Sequence, residues 1–197
     1  SPLQRLTAGR FRDILQKKHR EGGLFMNIVS ITPALASAAS HLYATAWKAA
    51  YRGMIPQEYL DQLSPERWTP LLGQSSPDQQ DFLLLEDGQP AAVSSICAAR
   101  DPSMQGWGEI VSLYVHPDRF RRGYGRALLQ HDLRQLAGMG FSRVYLWVLE
   151  ENLRAQSFYR AMGLSPDGGR SLLTIGGAEI PELRFVRTVP ASAAAEP

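Results

Sequence analysis

Residues 109–129 read EIVSLYVHPDRFRRGYGRALL, and residues 146–164 read LWVLEENLRAQSFYRAMGL. The first stretch opens with alternation. Ile110, Ser112, Tyr114 and His116 fall on one side, and Glu109, Val111, Leu113 and Val115 on the other, which is the period of a strand. His116-Pro117-Asp118 ends it, because proline cannot donate to a ladder. Gly123 and Gly125 follow. Leu129, Leu133, Leu136 and Ala137 then recur at i, i+4, i+7 and i+8, a helical stripe that Gly138 and Gly140 can stop. Arg143–Leu149 is apolar on both faces and reads as a central strand. Asn152 is placed to cap a second helix.

A glycine turn that leads into a helix is suited to an anion. The helix N-terminus carries unpaired N–H groups and a partial positive charge. Glycines remove the Cβ that would keep a phosphate off the backbone. Arg119, Arg121, Arg122 and Arg126 flank this turn. A P-loop is excluded, since no Lys-Ser/Thr pair follows the glycines. A Rossmann fingerprint fits poorly, since Leu128 stands where its third glycine would be. Spacing alone leaves an anion site of unidentified ligand, a plain turn, or a basic surface patch for nucleic acid. Against the last, no aromatic-rich basic stretch accompanies the arginines, and the whole chain carries only +2.

These residues resemble the GNAT superfamily of acyl-CoA-dependent N-acyltransferases. Its Gln/Arg-x-x-Gly-x-Gly/Ala signature stands here as Phe120-Arg121-Arg122-Gly123-Tyr124-Gly125, with phenylalanine in the first position. Its Asn-x-x-Ala-x-x-x-Tyr-x-x-x-Gly-Phe signature stands as Asn152, Ala155, Tyr159 and Gly163, with Leu164 closing it. The similarity runs from about Met26 to about Arg187 and is weakest in the first third. It implies a mixed, twisted α/β sheet flanked by helices, in the order βααβββαβαββ. It also implies acetyl-CoA as acyl donor, held in a notch between the Glu109 and Arg143 strands, with no metal.

The resemblance carries roles to particular residues. Leu113, Tyr114 and Val115 would line the pantetheine arm through their backbone, with an N–H near Val115 facing the oxyanion. Arg121, Arg122, Gly123, Tyr124, Gly125 and Arg126 would hold the pyrophosphate. Asn152 would cap its helix and also bond the pantetheine. Tyr159 would touch the cofactor and protonate the departing thiolate, whereas a core aromatic with a satisfied hydroxyl is the plainer alternative. Glu109 is the candidate base, directly or through water, because an alkyl ammonium near pKa 10.4 must lose a proton before it can attack. A solvated strand-end carboxylate is the alternative for Glu109, and His116 is a chemical rival. Glu150 and Glu151 favour the following helix N-terminus. Trp47, Tyr51 and Arg52 are candidate acceptor contacts, although Trp47, Tyr51 and Met54 at i, i+4 and i+7 also read as core.

At 197 residues the chain has the length of one domain with a sizeable core. Residues 1–25 hold six basic and two acidic side chains, a net +4 that leaves the remainder at −2. They read as a basic, loosely attached extension, or as residues ahead of a true start at Met26. Residues 26–188 form the expected acyltransferase domain, and residues 189–197 an Ala/Pro-rich tail expected to be disordered. Within the domain, Asn27–Ile31, Asp81–Glu86 and Ala91–Ala99 read as strands. Leu172–Ile175 and Ile180–Arg187 read as a hairpin around Gly176-Gly177. Helices are expected from Pro33 to Tyr51, Pro56 to Leu63 and Ser64 to Leu72. A single cysteine, Cys97, lies in an apolar run and fits a buried thiol in a reducing cytosol. No apolar run reaches membrane-spanning length.

Taken together, these features lead us to expect a cytoplasmic N-acetyltransferase. It would act through a ternary complex on a small-molecule or peptide amine, without nucleic-acid or membrane partners, and a homodimer stays open. The alternative is a non-catalytic acyl-CoA-binding sensor or docking module.

Overall fold

A computed structural model describes residues 25–74 and 78–189 of the chain. The expected basic extension, apart from Phe25, and the tail from Pro190 onward lie outside the described residues. The elements are β1 (Met26–Ser30), α1 (Ala36–Ala50), α2 (Gln57–Asp61), β2 (Gln79–Glu86), β3 (Gln89–Ala98), β4 (Gly108–Val115), α3 (Tyr124–Gly138), β5 (Arg143–Leu149), α4 (Leu153–Ala161), β6 (Ser165–Ile175) and β7 (Ala178–Thr188). This is the order expected from the sequence. The seven strands form one sheet in the order β1-β2-β3-β4-β5-β7-β6, antiparallel throughout except between β4 and β5.

Helices cover both faces. α3 and α4 lie on one, where Leu128, Leu129, Leu133 and Leu136 pack with Ile110, Val144, Leu146 and Phe185. α1 lies on the other, where Ala39, Leu42 and Tyr43 pack against Leu83 and Val93. Beyond the end of α1, Ile55 and Leu60 pack with Leu149 and Ile175 on that same face. None of the described helices is long and apolar enough to cross a membrane.

Hairpin turns follow the glycines. Asp87 and Gly88 both have positive φ, 49° and 79°, as do Gly176 and Gly177, 57° and 80°. That is the type I′ geometry whose twist matches the flanking strands. Helix ends follow the same logic. Gly140 and Gly163 take φ of 93° and 80° directly after α3 and α4. Phe141 N–H then bonds Leu136 O, and Leu164 N–H bonds Tyr159 O, each at 3.0 Å, closing Schellman caps.

Four sequence expectations change. Ser64–Leu72 is a run of turns, not a helix. Arg67, Thr69 and Leu71 donate to carbonyls three residues back. The Ser40 hydroxyl on α1 donates to Pro65 O at 2.6 Å and accepts Trp68 N–H at 3.0 Å. Two of the segment's polar groups, Pro65 O and Trp68 N–H, are thus satisfied by α1. β6 begins at Ser165, seven residues before the expected start. Pro166, Gly168 and Gly169 hid it, and they mark a bulge between Pro166 and Arg170. Val189, expected in the tail, is buried, and its N–H bonds Ser142 O at 2.8 Å. β4 does not alternate cleanly: Ser112 pairs with Ser95 but Ile110 with Ile96, so Val111 is an extra residue. The bulge puts Ile110 on the same face as Leu113 and Val115, and Tyr114 on the opposite face.

Because Ser40 serves two groups of the adjoining turns, Ser40→Ala should strand a carbonyl and an N–H together. We expect a loss of about 1–3 kcal/mol, read as a lower urea midpoint with unchanged slope.

Candidate active site

The two strands that bound the site part company early. β4 and β5 pair only at Gly108–Val144 and Glu109–Tyr145. Past that point β4 stays bonded to β3, with Leu113, Tyr114 and Val115 opposite Ser94, Val93 and Ala92. Its other edge is not paired to β5, so backbone groups there are available to an extended ligand. The resulting notch is bounded by β4, β5 and the N-termini of α3 and α4.

Glu109 sits at the apex of this notch, 3% exposed. Oε2 accepts Arg100 N–H (3.0 Å), Arg100 Nε (3.1 Å) and the Tyr145 hydroxyl (2.8 Å), and Oε1 accepts Arg100 Nη2 at 2.6 Å. Burial pushes this carboxyl up, but Arg100 and Tyr145 outweigh it and hold Glu109 below the usual carboxylate range. A carboxylate already accepting four donors is a poor proton acceptor for an amine. The geometry is that of a rivet joining β4 to β5. The bulge also moves Glu109 off the face it was expected to share with Val115. Cys97 lies across from it on β3; burial, then Glu109, push its thiol up to about 11, leaving it protonated rather than nucleophilic. His116, the rival base, accepts Asp118 N–H through Nδ1 and so caps the turn after β4.

The glycine turn is suited to a diphosphate. Gly123 has φ 83°, and a Cβ there would meet nothing within 4 Å, so the backbone faces open space. It is the N-cap of α3, whose first N–H groups lack intrahelical acceptors. Gly125 also serves packing. Its missing side chain points inward, where a Cβ would lie 3.4 Å from Phe158 and 3.5 Å from Val115. It lets α3 pack close to β4 and α4.

Sequence reasoning missed the residue that organises the turn. Glu86, at the end of β2, is 3% exposed and takes ion pairs from Arg119 and from Arg122, the latter at 3.0 Å, plus a hydrogen bond from the Tyr124 hydroxyl. Two of the four arginines are therefore engaged by one carboxylate within the chain, and the Tyr124 side chain is buried. Arg121 and Arg126 are exposed and make no ion pair among the described residues. Phe120, which departs from the family signature, lies 4.2 Å beneath the Arg154 guanidinium, tying the turn to α4.

On α4, the Asn152 side-chain oxygen accepts Ala155 N–H at 3.1 Å, so the cap expected from spacing is present. Tyr159 is 9% exposed among Phe158, Phe185 and the α3 leucines. Its hydroxyl makes no hydrogen bond to any described residue. Burial, with Tyr51 and Asp132 adding to it, pushes this phenol well above 10, so it carries its proton at any neutral pH. The Schellman cap explains the Tyr-x-x-x-Gly-Leu spacing: Leu164 N–H closes on the carbonyl of Tyr159 itself.

Of the acceptor candidates, Tyr51 reaches the notch, its hydroxyl 2.8 Å from that of Tyr114. Trp47 packs among Tyr51, Trp68 and Tyr114. Arg52 lies exposed in the turn after α1. The structure therefore brings Tyr51 and Tyr114 into contact, with Tyr159 within electrostatic reach of both, and leaves Arg52 exposed.

The depressed Glu109 gives a signed pH prediction. A carboxyl whose folded value is lowered adds stability above its unfolded value, near 4.5, and loses it as pH falls through the lower folded value. Glu109→Gln should therefore cost about 1–3 kcal/mol at pH 7, and the gap to wild type should close in acid. Urea melts of both proteins from pH 7 to pH 3 would read it.

Solved structures of other proteins share this fold. The E. coli ribosomal-protein-S18-alanine N-acetyltransferase superposes with TM-score 0.63 at 19% identity, over 88% of this chain and 99% of that one. The PaiA N-acetyltransferase of Thermoplasma acidophilum, solved with coenzyme A, gives TM-score 0.67 at 18% identity, over 83% and 99%. At these identities the likeness is one of fold. By sequence, the uncharacterized N-acetyltransferase YuaI of Bacillus subtilis is 29% identical over 115 residues, 56% of this chain and 64% of that protein. A mycothiol acetyltransferase of Kineococcus radiotolerans is 40% identical over 83 residues, 42% of this chain. The chain spans just under two thirds of the first relative's length and 26% of the second's. The family model described as Acetyltransferase (GNAT) family matches residues 40–164. That match reaches from α1 to the residue that closes α4, taking in both walls of the notch: this chain belongs to the GNAT family of acetyltransferases.

Proposed function

We propose that this chain transfers an acetyl group from acetyl-CoA to a primary amine of a small molecule or a peptide. The observation that carries the reading is the Tyr159 hydroxyl, a protonated phenol without a hydrogen-bond partner among the described residues, on the helix that borders a notch leading from a turn suited to an anion. Bound acetyl-CoA would supply an activated thioester carbonyl. Gly123, Arg121, Arg126 and the first turn of α3 would hold its diphosphate, and the free edge of β4 from Leu113 to Val115 its pantetheine arm. The Asn152 amide NH2 stays available to that arm while its oxygen caps α4. Tyr159 would hand its proton to the departing sulfur, whose thiol pKa of roughly 8.5 lies below that of a phenol. Glu109 acts in this reading as a positioning residue that keeps β4 and β5 joined at the apex. A CoA-dependent reaction and a single buried cysteine both suit the reducing cytosol.

Tyr159→Phe keeps the ring and removes the proton. It should lower kcat about ten- to a thousand-fold, equivalent to roughly 1.4–4 kcal/mol, with acetyl-CoA affinity nearly intact. The measurement is release of free CoA thiol over a panel of amines. CoA binding without turnover on any amine would point instead to an acyl-CoA-binding module. A second test concerns the turn: Glu86→Gln loosens Arg119 and Arg122 without touching Tyr159. It should raise the KM for acetyl-CoA roughly ten-fold while kcat stays within about two-fold.

A further inference from the structure

Glu182 is a half-buried carboxylate on β7. It stands opposite Leu149 of β5 and Ser171 of β6. Its strand neighbours Leu183 and Phe185 pack into the α3–α4 core, so Glu182 faces the other way, with Ile180 and Arg184. On that face Ile180 and Leu149 pack with Tyr51, Met54 and Ile55. Glu182 makes no hydrogen bond or ion pair with any described residue.

The cations nearby are already engaged. Arg184 Nε donates to Asp167 at 2.9 Å, and its guanidinium lies 3.9 Å from Asp101. Arg100 forks onto Glu109. From α1 the group facing Glu182 is the Tyr51 phenol; from the apex come Arg100 and Glu109; from β5 and β6 come uncharged Leu149 and Ser171. Tyr51 lies within electrostatic reach of both Glu182 and Tyr159.

Resting on the transferase reading above, we propose that Glu182 is the acceptor-side carboxylate, which receives the ammonium of a primary amine on an apolar stem and takes one proton from it before attack. Ile180, Leu149 and Tyr51 supply the surface for that stem. An unpaired carboxylate in such surroundings costs stability and persists where a ligand completes it. Burial lifts its pKa, which Arg100 opposes and Glu109 assists. Each unit of that rise narrows the gap to an ammonium near 10.4.

The protons balance. One N–H bond of R–NH3+ breaks and its proton passes to Glu182. The freed nitrogen pair forms the N–C bond as the C–S bond breaks. Tyr159 gives its proton to sulfur and regains the second nitrogen proton. Glu182 then releases its proton to solvent, giving amide, free thiol and one proton.

Glu182→Gln tests this without turnover. A raised folded pKa means that wild type loses stability as pH rises from the ordinary value of 4.5 through the folded value. The variant should therefore melt higher than wild type at pH 8, with the difference closing below 4.5. In NMR titrations with CoA present, n-butylammonium should bind the variant about ten-fold more weakly, while n-butanol binds both alike. Glu182→Asp, which keeps the charge, should recover part of the ammonium binding. In turnover, Glu182→Gln should lose kcat/KM for the amine and keep the KM for acetyl-CoA. A variant that melts lower at pH 8, equal n-butylammonium affinities, or no n-butylammonium binding by wild type would overturn the proposal. Wild type that binds n-butylammonium through Glu182 but releases no thiol with any amine would support the ammonium site and refute the transferase reading and its proton step.

Discussion

Everything at the functional centre depends on two strands being joined at one end and separate at the other. Parallel pairing of β4 and β5 lasts for two residue pairs, and the last of these is the pair that Glu109 fastens through the Tyr145 hydroxyl and Arg100. Without a fastening at the apex, strands that share so few ladder bonds could slide or zip shut. Without the Val111 bulge, continued pairing would use up the backbone groups that face the notch. The bulge and the ion pair act together: one ends the ladder, the other fixes where it ends. A carboxylate in this position looks catalytic by proximity, yet both its oxygens already accept donors from Arg100 and Tyr145.

The glycine turn repeats the theme of a buried carboxylate used as a fastener. Four arginines in eight residues would repel one another and hold no defined shape. Glu86 takes two of them and the Tyr124 hydroxyl, which fixes the loop and leaves Arg121 and Arg126 free to meet solvent. The charge offered to an anion is thus smaller than the sequence implies, but better placed, and the backbone N–H groups of α3 do the remaining work.

The sequence was most legible where one residue enforces one geometry. Asn152 caps, Gly140 ends a helix that runs through Gly138, and Asp87-Gly88 and Gly176-Gly177 turn hairpins, because few other residues can. Periodicity located α3, β5 and the element order for the same reason. It failed at Val111, because a bulge adds a residue without changing composition, and so assigned Ile110 and Glu109 to the wrong faces. It failed at Ser64–Leu72, where the Ser40 hydroxyl, a partner distant in sequence, holds Pro65 O and Trp68 N–H in a run of turns. Glu86 and Glu182 were invisible: a carboxylate on an alternating strand reads as solvated. Only the third dimension reveals that one is ringed by donors and that the other has none among the described residues.

The position of Glu86 gives the β2–β3 hairpin a reach beyond its own turn. The carboxylate is adjacent in sequence to Asp87, whose φ of 49° sets the reversal of the chain and whose side chain accepts Phe25 N–H at 3.0 Å. The backbone geometry of this remote corner therefore decides where the carboxylate stands beneath the arginines. Among natural relatives the hairpin corner and the glycine loop should drift in concert, a change at one being tolerated only beside a compensating change at the other. Affinity for the acyl donor could then be tuned by evolution at a place no ligand touches.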